Sequence, residues 1–198
     1  MREQTALTDS DLVRKAQQGE LPAFEALVHR YDKNIFMMAA RYVEHSDDAK
    51  DIYQEVFIRV FRALPKFQFR SEFTTWLYRI TTNVCLTHQT RRKRYTRIDR
   101  RHDENDGNDD HRSDEPASTE DAPDTKAIGA EISERIAEAL AVLSPQQKLV
   151  FTLKHYEGLK LHEIAAMLKC TDGTVKKHLF IATQRLREEL KEYYEDGE

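Results

Sequence analysis

Apolar residues recur every three or four positions along most of this chain, so its pattern is helical nearly throughout. Four helices are predicted in the first hundred residues. Thr8-Asp9-Ser10-Asp11 opens the first, with Leu12, Val13 and Ala16 as its apolar residues, and Gly19 closes it. Pro22 stands near the start of the second, where a missing N–H costs nothing, ahead of the broad stripe Phe24, Leu27, Val28, Tyr31, Ile35, Met38, Ala39 and Tyr42. Ser46-Asp47-Asp48 is expected to cap a third helix, DAKDIYQEVFIRVFRAL, which buries Ile52, Val56, Phe57, Val60 and Leu64 and stops before Pro65. Ser71 is expected to cap a fourth, which carries Trp76, Leu77 and Ile80 early and a basic run late.

The periodicity ends after Arg97. From Asp99 to Asp124 the chain is Asp, Asn, Ser, Pro and Gly with almost no apolar residue, too little to fold alone. This stretch reads as a flexible linker that reaches about 86 Å when extended and roughly 28 Å as a relaxed coil. Helical spacing returns with Ile128, Ile132, Ile136, Leu140 and Leu143. Ser144-Pro145-Gln146-Gln147 then restarts the chain as a capping box with proline at the first helical position. Leu149, Val150, Leu153 and Tyr156 follow, and Gly158 ends that helix. The last segment, LHEIAAMLKCTDGTVKKHLFIATQRLR, is a short helix, a tight turn and a longer helix. Ile164, Ala165 and Leu168 stripe the first of these helices, and Val175, Leu179 and Leu186 the second. Thr171 caps the second helix, and small Ala165 and Ala166 let the pair cross closely. A helix-turn-helix of this kind normally lays its second helix in a DNA major groove, the competing reading being an ordinary helix pair. The fold class is therefore all-α: two small helical domains, residues 1–98 and 127–198, joined by a flexible acidic linker at 99–126.

Charge sharpens this division. The net charge of −4 looks wrong for a nucleic-acid binder, but between Asp99 and Asp124 eleven acidic residues against Arg100, Arg101 and Arg112 give −8 and leave the rest of the chain at +4. With no apolar run near the roughly 18 residues of a membrane span, and no apolar core behind the N-terminus, the protein is expected to be cytoplasmic. Cys85 and Cys170 lack partners at metal-ligand spacing and read as buried thiols in a reducing compartment. HDENDGNDDH fails the calcium-loop pattern, because Gly107 misses the required sixth place and no closing Glu follows. No paired carboxylates, Ser-His-Asp ordering, phosphate-cradling Gly loop or metal cluster is found, so neither enzymatic activity nor a cofactor or metal is expected.

Three surfaces offer binding chemistry. Asp48, Asp51, Gln54 and Glu55 form a polar side on the third helix, read equally well as solvated or as a docking face. Lys66–Phe73 is aromatic and basic, and Phe67, Phe69, Phe73, Trp76 and Tyr78 offer rings on which unpaired bases stack at roughly 1–3 kcal/mol each. Phe73 and Trp76 have an equal claim to the core. Arg91, Arg92, Lys93, Arg94 and Arg97 exceed what a helix dipole needs and suggest phosphate contacts.

Taken together, DAKDIYQEVFIRVFRAL, FRSEFTTWLYRITTNVCL, LSPQQKLVFTLKHYEGLKLHEIAAML and CTDGTVKKHLF resemble the extracytoplasmic-function group of bacterial sigma-70-type sigma factors, in the family's own order and over nearly the whole chain outside the linker. The resemblance implies a subunit that binds core RNA polymerase and directs it to promoter DNA. It would dock through Asp48, Asp51, Gln54 and Glu55. Phe67, Phe69, Arg70, Ser71, Phe73, Trp76, Arg79, Asn83, Arg91 and Arg92 would melt and read the minus-10 element, with one flipped base held in the loop. The linker would thread toward the polymerase active-site channel. Thr171, Thr174, Lys176, Lys177, His178, Phe180 and Arg185 would read the minus-35 element, and an anti-sigma factor is a common further partner. The chain departs from the family in lacking several arginines after Gly-Thr-Val, so the location of that site is implied but not the bases it reads. Lys160, where a small hydroxyl residue is usual, is a weaker cap. Two readings from other classes compete: a free-standing helix-turn-helix regulator, which would need neither the aromatic loop nor the acidic face, and an adaptor that mainly binds a regulator.

Overall fold

A computed structural model describes residues 7–43, 45–102 and 138–195. The described residues form helices and turns without a strand, and none of the helices is long and apolar enough to cross a membrane. Helix α1 spans Asp9–Gln17, α2 Leu21–Tyr42, α3 Ser46–Ala63, a 3-10 turn Leu64–Lys66 and α4 Phe73–His102. After a short helical stretch at 138–141, α5 spans Pro145–His155, α6 Leu161–Leu168 and α7 Asp172–Glu195.

Local chemistry sets several of these ends. Thr8 and Asp11 exchange side-chain and backbone hydrogen bonds across the first turn of α1, and those bonds from Thr8 hold the Asp11 carboxyl below its usual range. Ser144 and Gln147 do the same for α5, with Pro145 in the first turn. Two expected caps move. Helix α3 starts one residue early, on His45, which places Ser46 inside it; α4 starts at Phe73, where the Glu72 carbonyl accepts from the Trp76 amide, so Ser71 precedes the cap. Helix α4 also runs to His102, beyond the last apolar repeat and into the expected linker. Most of the acidic stretch, and the stripe from Ile128 to Ile136, lie outside the described residues.

Leu27, Ile35, Met38, Ile52, Val56, Val60 and Leu77 fill the centre of the first four helices. That core continues into the second half through Leu149, Val150, Leu153, Ile164 and Val175, where α2 meets α5 and α4 meets α6. The seam carries specific contacts. The Arg41 guanidinium lies 3.6 Å from the centre of the Tyr156 ring, and Tyr78 sits between Asn34 and Glu157. Burial, with the Glu157 carboxylate beside it, pushes the Tyr78 hydroxyl well above the ordinary tyrosine range. A second small core, Ala139, Leu140, Leu143, Ala182 and Leu186, ties the helical turn at 138–141 to α7. Ala165 is buried as the helix crossing requires, whereas Ala166 faces out and Met167 takes the inner place.

Candidate nucleic-acid interface

The loop after the 3-10 turn is built on an aromatic cluster. Phe67 stacks on Trp76 at 4.9 Å and on Phe69 at 5.0 Å between ring centres, and Phe73 closes the group at 5.8 Å from Trp76. Phe67, Phe73 and Tyr78 are buried and Trp76 is half-buried, so Phe69, 37% exposed, is the ring of the group most open to solvent. For Phe67 and Tyr78 this corrects the expectation of a ring open to stacking, and for Phe73 it decides the open reading in favour of the core: Phe67 and Phe73 support the loop from below. Phe69 adopts a left-handed backbone (φ 54°), a conformation that a non-glycine residue holds only when its surroundings impose it. Arg70 and Ser71 beside it are exposed, as are Arg79 and Asn83, one turn apart on α4.

On α3 the expected polar side divides. Asp48 is half-buried; it accepts from Arg92 Nη1 at 3.4 Å and its other oxygen lies 3.4 Å from His88 Nε2, so it fastens α3 to α4 instead of facing outward. Arg92 is thereby engaged with the acidic helix. Asp51 and Gln54 are exposed, and Glu55 pairs with Arg59 at 2.7 Å. Together with Arg91 and Thr87 they line a groove of about 270 Å³ between α3 and α4, which places Arg91 beside the acidic side and away from the aromatic loop. Around the helix, exposed Ile58 (45%) and Phe61 (55%) join Phe24, Val28 and Phe57 along an open apolar groove of about 710 Å³. Sequence reasoning missed it. The signal was present, since Ile58 and Phe61 fall off the buried 52–56–60 phase of α3.

In the helix-turn-helix, the turn is made by Lys169 in the left-handed region (φ 53°), the place a glycine usually takes. Glu163 accepts from the Lys160 amide at 2.8 Å and so supplies the cap that the Lys160 side chain cannot. Thr171 Oγ1 accepts from the Thr174 amide at 3.2 Å and lies 3.0 Å from Thr174 Oγ1. Lys176, Lys177 and Phe180 project from the first turns of α7, Phe180 being 65% exposed. His178 is half-buried, and its Nδ1 has no partner among the described residues. Arg185 is exposed and reaches back to the Val142 carbonyl at 3.2 Å and Gln147 Oε1 at 3.4 Å, which braces α7 on the first turn of α5 and the residues before it. Among the described residues no group of His, Cys, Asp and Glu could hold a metal ion.

Residues 27–95 match the family model described as Sigma-70 region 2, and residues 133–186 that of Sigma-70, region 4. The ECF RNA polymerase sigma-E factor of Haemophilus influenzae is 34% identical over 188 residues, which cover 93% of this chain and 96% of that protein. This chain belongs to the ECF sigma factors. The sigma-E factor of Escherichia coli K12 is 33% identical across 91% of this chain and 93% of its own length, and the sigma-H factor of Pseudomonas aeruginosa 31% across 92% and 94%. Among solved structures, CnrH in complex with the cytosolic domain of CnrY superposes at a TM-score of 0.64 with 22% identity, covering 92% of this chain and 97% of CnrH. RpoE from Bartonella quintana, in complex with the anti-sigma factor NepR, gives 0.63 with 22% identity, covering 85% and 96%. These two share the fold. As an ECF sigma factor, the protein is a polymerase-binding subunit that directs transcription initiation at promoters.

Proposed function

We propose that residues 1–98 dock on core polymerase and open the minus-10 element, that 127–198 read the minus-35 element, and that 99–126 connect them. Asp51, Gln54 and Glu55 dock on the polymerase, with the apolar groove along Phe57, Ile58 and Phe61 extending that face. Phe69, Arg70 and Ser71 hold a flipped base of the non-template strand, and Trp76, Arg79 and Asn83 line the strand beside it. Thr171, Thr174, Lys176, Lys177 and Phe180 face the minus-35 groove. Without a bidentate arginine in those turns, base choice there rests on the lysines and on apolar contact between Phe180 and thymine methyl groups. The chain supplies recognition and strand capture in the cytoplasm, and polymerase supplies the chemistry. An anti-sigma factor is the third partner of this reading, competing for the apolar groove.

The observation that carries it is the pairing, on one chain, of an exposed ring loop suited to unpaired bases with a capped helix whose lysines and phenyl ring project to solvent. The test is in vitro transcription on fragmented genomic DNA with bacterial core polymerase, with and without the protein, mapping transcript 5′ ends. New starts that share two upstream motifs are expected. Placing positive charge at Gln54 and Glu55 (Gln54→Lys, Glu55→Lys) is expected to abolish them by preventing core binding. Duplex binding that survives this change, with no core binding by the unaltered protein, would make it a free-standing regulator.

A further inference from the structure

The loop that holds Phe69 is fixed by a helix from outside the residues that match region 2. Helix α1 ends at Gln17, ten residues before that match begins. The Gln17 amide nitrogen donates to two carbonyls, Leu64 and Phe67, each at 2.9 Å, across sequence separations of 47 and 50. These are the first carbonyl of the 3-10 turn and that of its C-cap residue. The Phe67 amide already closes on Leu64 at 3.0 Å, so the fork ties both sides of that closure. One turn earlier on α1, the Arg14 guanidinium lies 4.9 Å from the centre of the Phe69 ring. Two residues of one helix face thus hold the start of the loop and its exposed ring.

We infer that Gln17 and Arg14 are positioning residues for minus-10 strand capture. Phe69 keeps a left-handed backbone that persists only where neighbours over-determine it. Buried Phe67 fixes the inner end of the loop, and the α1 contacts fix its backbone and its outer ring. A loop held in this way meets an unstacked base already ordered, which spares the entropy of ordering it on binding. The inference rests on the assignment of this loop to the minus-10 strand.

The experiment uses full-length protein reconstituted with bacterial core polymerase and a random pool of single-stranded DNA 12-mers. Wild-type holoenzyme is expected to enrich one motif, and the winning 12-mer becomes the probe. Gln17→Leu keeps the volume of the side chain and removes both donors. It is expected to weaken probe binding about tenfold, as loss of a paired donor with an unsatisfied carbonyl implies, while core binding stays within about twofold. Gln17→Lys, which restores a donor, should recover part of the loss. Arg14→Ala, on an exposed position, should weaken the probe about threefold with an unchanged salt slope, whereas loss of a phosphate contact would lower that slope by about 1. No enriched motif with wild type would overturn the minus-10 assignment and the inference with it. An enriched motif that Gln17→Leu and Arg14→Ala bind as wild type does would overturn the inference alone. If Gln17→Leu misfolds or loses core and probe binding together, Arg14→Ala decides: a probe affinity equal to wild type overturns the inference, and a selective loss supports it.

Discussion

The aromatic loop at 67–72 and the start of α7 are the two segments assigned to DNA, and they are held by opposite means. Helix α7 is set by neighbours in sequence: Lys169 makes the turn, Thr171 caps three residues ahead, and Glu163 caps the preceding helix. The loop is set from a distance, by Gln17 and Arg14 on α1 and by a ring cluster reaching to Trp76. At the start of α7 the turn and the cap are thus set by neighbours in sequence, while the rest of the fold holds the helix behind them through Val175, Ala182 and Leu186. The loop proposed to receive an unpaired base depends on the packing of the whole first half, so on that proposal damage to the packing reaches recognition indirectly.

The two cysteines, one in each half, give the largest expected contrast. Burial pushes the Cys85 thiol up to about 12, while Cys170 is half-buried. The thiolate is the reactive form, so iodoacetamide at pH 8 should label Cys170 more than about 10³-fold faster than Cys85, which becomes accessible only on unfolding. Mass spectrometry of the alkylated peptides measures this, and equal rates would mean that the first half opens readily. The sign for stability follows from the raised value. The contribution of Cys85 is fully present below its ordinary value near 9 and is lost as pH rises from there through about 12, so unfolding should become easier across that alkaline window.

Next in size is the contrast between adjacent rings of the loop. Phe67→Ala removes a buried ring and should cost about 3 kcal/mol, the lower end for such truncations, or roughly 10 °C in Tm for a chain of this length. Phe69→Ala should change Tm little, because that ring is more than a third exposed, yet it should abolish capture of the single-stranded probe. Thermal melts and probe binding on the two variants separate support from contact. If Phe67→Ala melted like wild type, the ring cluster would not be the foundation of the loop.

In the second half the corresponding contrast is cap against brace. Thr171→Ala removes the cap of α7 and should cost about 1 kcal/mol and weaken minus-35 duplex binding together. Arg185→Ala removes two hydrogen bonds to the α5 start and should cost a similar or smaller amount, about 0.5–1.5 kcal/mol. Because Arg185 faces Val142 and Gln147, base preference at every minus-35 position should survive. Sequencing DNA selected by the variant holoenzyme reads this out, and a relaxed preference at one base pair would return Arg185 to the reading surface.

These contrasts also mark what was legible in the sequence. Periodicity located the described helices, and the boxes at Thr8 and Ser144 and the cap at Thr171 came through because their partners lie three residues away. Where the partner is remote, the sequence did not show it. Asp48 lies against His88 and Arg92, 40 and 44 residues on, and Arg185 against Val142, 43 residues back; the first had been read equally as solvated or docking, and the second placed by the family resemblance, with neither contact foreseen. Phe67 followed the same rule, since an aromatic in a basic loop looks available until its neighbours in space are known, whereas Phe73 had been left open between stacking surface and core. Gln17 lay in plain view as the last residue of a helix, and nothing nearby marked it as a clamp.

The smallest effect tests the local side of the comparison most directly. Lys169 occupies a left-handed position that ends α6, and its amide neighbour Cys170 bonds back to Ala165 at 3.0 Å, so the turn is formed at the expense of a side chain that disfavours it. Lys169→Gly removes the Cβ clash in the folded state and adds freedom to the unfolded chain, and these oppose each other. At a left-handed helix end the first effect wins, for a net gain of about 0.5–1 kcal/mol. That corresponds to roughly 2–3 °C in Tm. Because the lysine is exposed and lies before the α7 cap, minus-35 affinity should fall only by what one distant charge contributes, and a salt titration isolates that part. A melt that falls instead would mean that the turn draws its geometry from the packing of α6 on α4, and the second DNA-reading segment would then depend on the whole fold as the first does.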